Sequence, residues 1–412
     1  MLKKFIGESF FCGLDIGAQS IKASFVKTQQ DGKPVLLGVY ESKTRGFESS
    51  SVTDLSEFVE CIHATIAGLA KKTNMKIQEV QLGLNSELID VRRGSAVIPL
   101  LDKGNKEITR RDVKKVQEQA RLLGVNLEET VLHTLSQYYK IDDVNIATNP
   151  VGLYGRKLEI HTLLVLAKNV LVKNLTKAVN QAGYDVLNLF FTSLAATEAS
   201  LNEFQKKQGC AVIDAGATMT NVLIFKEGQL KYMDMIELGG DVITQSIAEK
   251  LNLTLSLAEE IKKTYAVAED LGSRGEEEIL IKRDDGYFPV KKEAIAQAVE
   301  PVVAKLILKV SQILKASGLS AEMNAGIILV GGGALLTGVP ECIEKEINTP
   351  AKLGKVKAAI RRLNNAPKYA AVVGLAQLGA KQSIGHPSSV HDHAQFGASF
   401  VQKIKEFYQE YF

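Results

Sequence analysis

The chain has 412 residues, more than one hydrophobic core normally organises, so at least two domains are expected. Hydrophobic residues make up 45% and charged residues 24%, a balance that excludes extended disorder. A formal net charge of +3, with no basic face studded with aromatic residues, argues against a nucleic-acid partner. No apolar run reaches the roughly 18 residues of a transmembrane helix, and no signal peptide is recognisable.

The cysteines and histidines do not indicate a reactive centre. The four cysteines are far apart and show neither metal-ligand spacing nor a disulfide framework, which fits a reducing cytoplasm. They are Cys12, Cys61, Cys210 and Cys342. Three of the six histidines fall in one polar segment near the C-terminus, while His133 and His161 stand alone and are expected to pack structurally.

The first elements in chain order alternate strand and helix patterns, as α/β proteins do. Two apolar runs at residues 11–16 and 21–26 flank a turn at Gly17, and a connection this short predicts a β-hairpin. The amphipathic segment that follows predicts a helix, with Thr53 or Asp54 as its N-cap.

A region from about residue 80 to residue 167 is predicted as a separate module. Two short strands, at residues 80–84 and 89–98, precede a charged turn and a helix over residues 109–123. A strand at residues 161–167 then returns to the main body. After the module, helices are predicted at residues 170–182 and 195–206, with a strand at 186–191 between them.

The opening pattern then recurs. CGLDIGAQSIKASFV near the N-terminus and CAVIDAGATMTNVLIF from Cys210 onward both read as strand, Asp-x-Gly, short polar turn and strand. This internal duplication predicts two related domains that face each other. Helical segments dominate residues 248–315, broken by the acidic, glycine-containing residues 270–278, and a third buried strand at 327–330 ends in three glycines.

Paired Asp-x-Gly turns have a chemical interpretation. The glycine lets backbone N–H groups converge on an anion, and the aspartate can hold Mg²⁺ through its water shell. The alternative is that Asp15 and Asp214 only cap hairpin turns, which is the better interpretation of either one alone. Two further glycine clusters, each leading into a segment with helical spacing, favour a nucleotide site. They are Leu238-Gly239-Gly240-Asp241 and Val330-Gly331-Gly332-Gly333-Ala334.

The commonest nucleotide motifs are missing, since there is no GxxxxGK[ST] loop and no GxGxxG opening a βαβ unit. Instead, GLDIGAQSIKA, VIDAGATMTNVLIF, ELGGDVITQSIA, AEEIKKTY and ILVGGGALLTGV resemble, in order and approximate spacing, the motifs of the actin/Hsp70/sugar-kinase superfamily. NPVGLYGRKLEIHTLLV, EITRRDVKKV, APKYAAVVGLAQLG and the tail resemble the FtsA family of bacterial cell-division proteins in particular. The resemblance runs from about residue 11 to the C-terminus.

The resemblance implies an α/β, actin-like fold: two RNase-H-like domains around a nucleotide cleft, with a small module inserted in the first domain and a C-terminal amphipathic helix. The implied divisions are 1–83 and 166–200 with a return of 365–381 for the first domain, 84–165 for the FtsA-type module, 201–241 and 306–364 for the second domain, 242–305 for its small subdomain, 382–399 for a linker and 400–412 for a membrane-targeting helix.

The resemblance also implies which residues bind ATP and Mg²⁺. The residues expected to contact phosphate are Asp15, Gly17, Ala18, Gln19, Asp214, Gly216, Ala217 and Thr218. Those expected to contact phosphate or ribose are Gly239, Gly240 and Asp241. Those expected on the adenosine side are Glu259, Lys262, Gly332, Gly333 and Ala334. Asp15 and Asp214 are the expected Mg²⁺ residues, acting through water.

Departures from the family pattern limit the expected catalysis. The second turn usually reads Asp-Ile-Gly-Gly-Gly-Thr-Thr-Asp, whereas residues 214–221 here have lost two of those glycines and the last aspartate. Where the family often has Glu-Pro, and the glutamate helps to orient the attacking water, this chain has Thr192 and Ser193. No general base is recognisable, so ATP binding with at most slow hydrolysis is expected.

The C-terminus predicts an amphipathic helix behind a linker rich in Gly, Pro, Ser and His. Its apolar side chains fall within an arc of roughly 160°, flanked by Lys403 and Lys405, with Glu406 and Glu410 opposite. The membrane-facing residues are Phe400, Val401, Ile404, Phe407, Tyr408, Tyr411 and Phe412. The charges nearly cancel, so little attraction to anionic lipid is expected from the helix itself. The alternative is a helix packed on the globular body or on another chain.

A basic stretch predicts a solvated or phosphate-facing surface rather than a nucleic-acid site. It consists of Lys352, Lys355, Lys357, Arg361, Arg362 and Lys368.

By resemblance, the protein is a peripheral protein of the cytoplasmic face of the inner membrane that anchors FtsZ through the C-terminal tail of FtsZ and self-assembles into filaments. Two rivals stay open at this point. A type IV pilus assembly protein of the PilM kind shares the fold and the inserted module but normally lacks a detached amphipathic helix. A sugar-kinase-like phosphotransferase needs an aspartate base facing a substrate pocket, and none is recognisable.

Overall fold

A computed structural model describes residues 9–29, 33–48, 50–100, 106–268, 277–283, 286–357 and 363–385. The first domain begins with a hairpin, two short paired strands, a long helix and a further strand. These are β1 (Ser9–Ile16), β2 (Ser20–Thr28), β3 (Pro34–Lys43), β4 (Phe47–Glu48), β5 (Ser51–Val52), α1 (Leu55–Thr73) and β6 (Glu79–Leu84). The hairpin is confirmed, and so is the cap of α1, where the Asp54 side chain accepts from the Glu57 N–H at 3.0 Å.

The inserted module is built on a sheet of its own. Its elements are β7 (Ile89–Pro99), β8 (Lys106–Glu107), α2 (Arg110–Leu123), β9 (Glu129–Ile141), β10 (Asn145–Ala147), β11 (Tyr154–Gly155) and β12 (Lys157–Lys168). The strand order is β10-β9-β12-β7, and α2 packs on one face of this sheet. The helix begins with a capping box, in which Thr109 and Asp112 bond reciprocally. The expected strand at 80–84 is present, but β6 belongs to the main sheet rather than to the module, because it pairs with β1.

The chain returns to the first domain through α3 (Asn169–Gln181), β13 (Asp185–Phe191) and α4 (Thr192–Ser200). The main sheet then has the order β3-β2-β1-β6-β13, with β1, β2 and β3 antiparallel and β6 and β13 parallel to β1. This is an RNase-H-like sheet.

The second domain repeats that plan. It contains α5 (Glu203–Gln208), β14 (Cys210–Ala215), β15 (Thr220–Lys226), β16 (Gln229–Ile236), α6 (Gly240–Leu251), α7 (Leu255–Tyr265), β17 (Glu278–Arg283), β18 (Gly286–Lys291), α8 (Lys292–Ala316), β19 (Ile327–Val330), α9 (Val339–Ile347) and β20 (Ala351–Leu353). The sheet order β16-β15-β14-β19-β20 matches that of the first domain strand for strand. The duplication predicted from the sequence is confirmed.

One helix prediction was wrong and a second was incomplete. The helix expected over residues 195–206 is two helices, because Leu201 is extended and Asn202 caps α5 by bonding reciprocally with Gln205. The segment expected to be mainly helical at 248–315 contains the hairpin β17–β18, whose buried Ile279, Ile281 and Val290 alternate with exposed residues.

The last described helix, α10 (Ala370–Gly385), belongs to the first domain although it comes after the second. Glycines allow its close approach: a Cβ on Gly374 would stand 1.7 Å from the Ala195 carbonyl of α4, and one on Gly13 would stand 2.2 Å from the Val372 carbonyl. None of the helices in the described ranges is long and apolar enough to cross a membrane. The predicted linker beyond residue 385 and the predicted membrane helix lie outside the described residues.

Candidate functional site

The first of the two predicted phosphate turns connects β1 to β2. Asp15 is 8% exposed near the end of β1, and its carboxylate lies 3.6 Å from the Lys22 ammonium. The Gly17 N–H donates to the Ser20 carbonyl at 3.1 Å, and the Thr44 hydroxyl donates to the Gly17 carbonyl at 2.7 Å. The turn is therefore fixed by Ser20 within its own loop and by Thr44, which follows β3.

The second turn, between β14 and β15, repeats this geometry. The Gly216 N–H donates to the Met219 carbonyl at 2.9 Å, as Gly17 does to Ser20. The Asp214 carboxylate accepts from the Ser193 hydroxyl at 2.6 Å, and the Asn221 amide donates to the Ser193 oxygen at 2.9 Å. Because Ser193 lies at the start of α4, this chain of bonds joins the two domains at the floor of the cleft.

The two aspartates are close enough for their charges to interact. Burial raises the pKa of the Asp214 carboxyl above its ordinary value; the Ser193 hydrogen bond opposes the shift, and the Asp15 carboxylate adds to it. A cation placed near both carboxylates would offset the negative charge that burial disfavours. No group of three or more His, Cys, Asp or Glu side chains able to hold a metal occurs in the described ranges, so a cation here would keep much of its water shell.

Backbone donors line both turns. Within the described part of the chain, the N–H groups of Ala18, Gln19, Ala217 and Thr218 donate to no carbonyl or side chain. Unpaired N–H groups on two facing glycine turns form anion-binding concavities. The two turns can therefore hold phosphate oxygens from opposite sides.

The Gly239-Gly240-Asp241 segment acts differently from the predicted anion seat. The Gly240 N–H donates to the Gly216 carbonyl at 3.0 Å and the Asp241 N–H donates to the Ala217 carbonyl at 2.8 Å, so both amides position the second turn. The Asp241 carboxylate accepts from the Gln19 amide at 3.0 Å, a bond that crosses the cleft between the domains. Burial raises the pKa of Asp241, and Lys262 opposes that shift.

Glu259 and Lys262 form one network on the α7 side of the cleft. Their side chains pair at 2.6 Å, and the Lys262 ammonium also donates to the Gly240 carbonyl and the Thr244 hydroxyl, each at 2.8 Å. Thr244 in turn donates to Glu259 at 2.5 Å. These contacts join α7 to the start of α6, so Glu259 and Lys262 stabilise the α7 side of the cleft.

The three glycines after β19 differ in their surroundings. Gly331 has φ +86°, and a Cβ there would stand 2.3 Å from the Ala215 carbonyl, so only glycine fits. A Cβ on Gly333 would stand 3.0 Å from the Ala215 Cβ, whereas one on Gly332 would meet nothing within 4 Å. Gly332 is therefore the open position. Ala334 is 1% exposed and packs in the second-domain core, so its side chain is not available to a ligand.

Sequence reasoning missed three residues of the site: Lys22, Thr44 and Ser193. Lys22 had a detectable signal, since it follows the first turn on a strand whose alternation points it to the same side as Ser20. Ser193 stands where the family often has Glu-Pro, but nothing in the sequence indicated its bond to Asp214, and Thr44 had no signal, because each reaches its turn from a different part of the chain.

His133 of the inserted module supports the segment that carries Ser193. Its Nε2 accepts from the Phe191 N–H at 2.9 Å, and burial lowers the pKa of His133 to about 4. The unfolded chain takes up a proton first, near pH 6.5, so stability is present above that pH and falls as pH drops towards 4. Because the ring keeps some solvent contact, we expect this histidine to account for at most about 2 kcal/mol of unfolding free energy between about pH 6.5 and pH 5.

Urea titrations at several pH values measure this contribution. The His133→Gln variant keeps an acceptor for the Phe191 N–H but does not titrate, so its stability should fall less over that interval. Equal pH slopes for the variant and the unchanged protein would contradict the assignment.

Two RNase-H-like sheets with paired phosphate turns define the actin-like class of nucleotide-binding proteins. A family model described as "Cell division protein FtsA" matches residues 211–374, and one described as "SHS2 domain inserted in FTSA" matches residues 88–166. The chain belongs to the FtsA family of cell-division proteins and is an actin-like cell-division protein.

Relatives over nearly the full chain agree with this assignment. "Cell division protein FtsA" of Escherichia coli K12 is 27% identical over 97% of both chains. That of Streptococcus pneumoniae D39 is 27% identical over 98% of this chain and 89% of its own length, and that of Pseudomonas aeruginosa PAO1 is 28% identical over 92% and 91%. This assignment favours the cell-division protein over the pilus-assembly and sugar-kinase alternatives.

Solved structures confirm the fold. A chain of the PilM–PilN type IV pilus biogenesis complex superposes with a TM-score of 0.66 at 18% identity, covering 90% of this chain and 98% of its own. MreB5 of Spiroplasma citri bound to ADP gives 0.54 at 12% identity, covering 92% and 99%. At these identities the likeness concerns architecture alone.

Proposed function

We propose that this protein binds Mg-ATP in its cleft, self-assembles into filaments and attaches FtsZ to the cytoplasmic face of the inner membrane. The observation that supports this most is the pair of facing turns, in which four backbone N–H groups have no partner among the described residues. Family membership supplies the cell-division context.

In this proposal each group in the cleft has one task. The N–H groups of Ala18, Gln19, Ala217 and Thr218 bind phosphate oxygens, and Lys22 adds positive charge beside the first turn. Asp15 and Asp214 hold Mg²⁺ through water, which supplies the charge that offsets the polyphosphate. Gly332 leaves room for the adenosine, while Glu259 and Lys262 form the wall on the ribose and base side.

Attachment to the membrane is assigned to residues 400–412, and the link to the division ring to contact with the FtsZ tail. Recruitment to vesicles tests both parts together. FtsZ from the same organism should float with lipid vesicles only when this protein and ATP are present. FtsZ without its C-terminal tail should remain in the fraction that does not float. Tailless FtsZ that floats as well as the intact protein would refute the proposed link.

Gly332 offers a direct test of the adenosine position. Its φ of −69° suits any L-residue and its surroundings are open, so Gly332→Trp should fold normally while filling the space reserved for the base. We expect ATP affinity, measured by calorimetry, to fall at least about 100-fold, or about 2.7 kcal/mol. Gly332→Ala is the control and should bind nearly as well as the unchanged protein. Similar losses in both variants would place the base elsewhere.

Hydrolysis should be slow. Thr192 donates to the Leu84 carbonyl at 3.2 Å and Ser193 donates to Asp214, so neither hydroxyl is free to position water as a carboxylate would. Losing one transition-state group lowers rates by about 10²–10³-fold, and kinases turn over at about 1–100 s⁻¹. We therefore expect steady-state phosphate release below about 0.1 s⁻¹. Turnover at kinase rates would mean that a base exists.

A further inference from the structure

A basic surface lies where the chain passes between the two domains. The first crossing carries α5, and the second follows β20 and runs towards α10. We name this surface the lysine face, and it consists of Lys206, Lys207, Lys352, Lys355, Lys357 and Lys381. The proposed function gives it no role.

Contacts of Lys206, Lys357 and Lys381 join the two crossings to α10, and Lys352 and Lys355 precede Lys357 on the second crossing. Lys381 of α10 lies 2.7 Å from the Glu198 carboxylate, and Lys206 of α5 lies 3.7 Å from the same group. The Lys357 N–H donates to the Ala199 carbonyl at 2.8 Å, and the Gln377 amide donates to the Lys357 carbonyl at 2.9 Å. The backbone of the second crossing is thus fixed between α4 and α10.

Positive charge on this face is only partly balanced. Glu198 and Glu203 pair with Lys206 and Lys381, while Lys207, Lys352, Lys355 and Lys357 are exposed to solvent. Lys357 keeps this solvent contact, but its partial burial lowers the pKa of its ammonium and the nearby Lys206 lowers it further, while the two glutamates oppose the shift. Neighbouring ammonium groups repel one another, so a negatively charged partner would be attracted to this surface.

One exposed aromatic side chain on α5 indicates the class of partner. Phe204 is 68% exposed and lies three residues before Lys207, so the two share a face of that helix. An aromatic ring among lysines is the composition of an interfacial membrane contact, where the ring enters the headgroup region and the ammonium groups stay among phosphates.

The position of α10 sets where a membrane would lie. Lys381 is close to the C-terminal end of that helix at Gly385, and the sequence continues to the amphipathic segment at 400–412. In that segment Lys403 and Lys405 are balanced by Glu406 and Glu410. The tail alone therefore contributes little attraction to anionic lipid, and the lysine face lies beside the point from which the tail departs.

We propose that the lysine face is a second membrane contact, which docks the body of the protein on anionic phospholipid headgroups while the tail inserts its apolar arc. The inference rests on the proposed membrane attachment. It assigns the hydrophobic part of membrane binding to the tail and the salt-dependent part to the body, and it places the membrane next to the two chain crossings between the domains.

Vesicle flotation of the full chain separates these two parts. The probes are vesicles of phosphatidylcholine alone and vesicles with about 30 mol% phosphatidylglycerol, each at about 0.05 M and about 0.5 M salt. The unchanged protein should bind the anionic vesicles more tightly at low salt and lose that advantage at high salt. Each lysine near an anionic surface is worth about five-fold in partitioning, so Lys352→Glu/Lys355→Glu should lower anionic binding at low salt about 25-fold or more.

The matched control is Lys114→Glu/Lys115→Glu on α2, where both lysines are exposed and the change in net charge is the same. It should keep the preference for anionic vesicles, and both variants should keep ATP binding and thermal midpoints within about 2 °C of the unchanged protein. Equal losses in the two variants, or no lipid preference in the unchanged protein, would overturn this inference alone. Failure of the unchanged protein to float on any vesicle would instead overturn the proposed membrane attachment.

Discussion

Replacing Asp214 by asparagine is expected to weaken Mg-ATP binding about 10- to 100-fold, the usual effect of removing a carboxylate that holds a metal through its water shell. The same change should raise the thermal midpoint of the nucleotide-free protein. The introduced amide oxygen can still accept the Ser193 hydrogen bond, but the charge that burial and Asp15 oppose is gone. The Asp214→Asn variant should therefore bind Mg-ATP more weakly and unfold at a higher temperature than the unchanged protein.

The direction of the stability change follows from the pKa of Asp214. This carboxyl has a higher pKa in the folded protein than in the unfolded chain, so its ionised form destabilises the fold at neutral pH. That penalty disappears as pH falls below the folded pKa, and the stability gain of Asp214→Asn should shrink with it. Calorimetry with Mg²⁺ and with a chelator, together with thermal unfolding, measures both effects.

Asp185→Asn is the matched control, because Asp185 is exposed at the start of β13 and undergoes the same chemical change. It should leave nucleotide binding and stability nearly unchanged. If Asp214→Asn bound Mg-ATP as tightly as this control, the assignment of the cation to the two aspartates would be wrong.

Phe400→Glu/Phe407→Glu should release the protein from membranes. Both residues lie within the predicted apolar arc. Full burial of a large apolar side chain is worth about 1.5–3 kcal/mol, and interfacial burial realises part of it, so losing two such side chains should lower vesicle binding at least about 10-fold. Filament assembly multiplies the contribution of each tail, since neighbouring tails act at high effective concentration.

A control with the same number of added negative charges is available within the tail. Gln402→Glu/Gln409→Glu places them on the side opposite the apolar arc, at about 100° per residue. It should keep most flotation on vesicles of phosphatidylcholine alone, where surface charge has little influence. Both variants should still bind ATP. Equal flotation of the two would mean that the tail packs on protein.

The paired turns of the proposed nucleotide site could be predicted from short segments because the bonds that form them are local. Each Asp-x-Gly turn carries its carboxylate, its glycine and its N–H groups within a few consecutive residues, and the turn bond from Gly17 to Ser20 recurs from Gly216 to Met219. The capping residue Asp54 was equally recognisable, since a cap bonds a residue three positions away.

What the sequence by itself determined was therefore the duplicated turns, the helix starts and the actin-like order of motifs. Only the tertiary structure decided that β6 joins the main sheet, that Gln19 reaches Asp241 across the cleft and that Ser193 holds Asp214. It also decided that Ala334 is buried while Gly332 stays open. The physical reason is distance along the chain: a strand's pattern shows that one face is buried but not which edge it pairs with, and contacts between remote residues exist only once the sheets have packed.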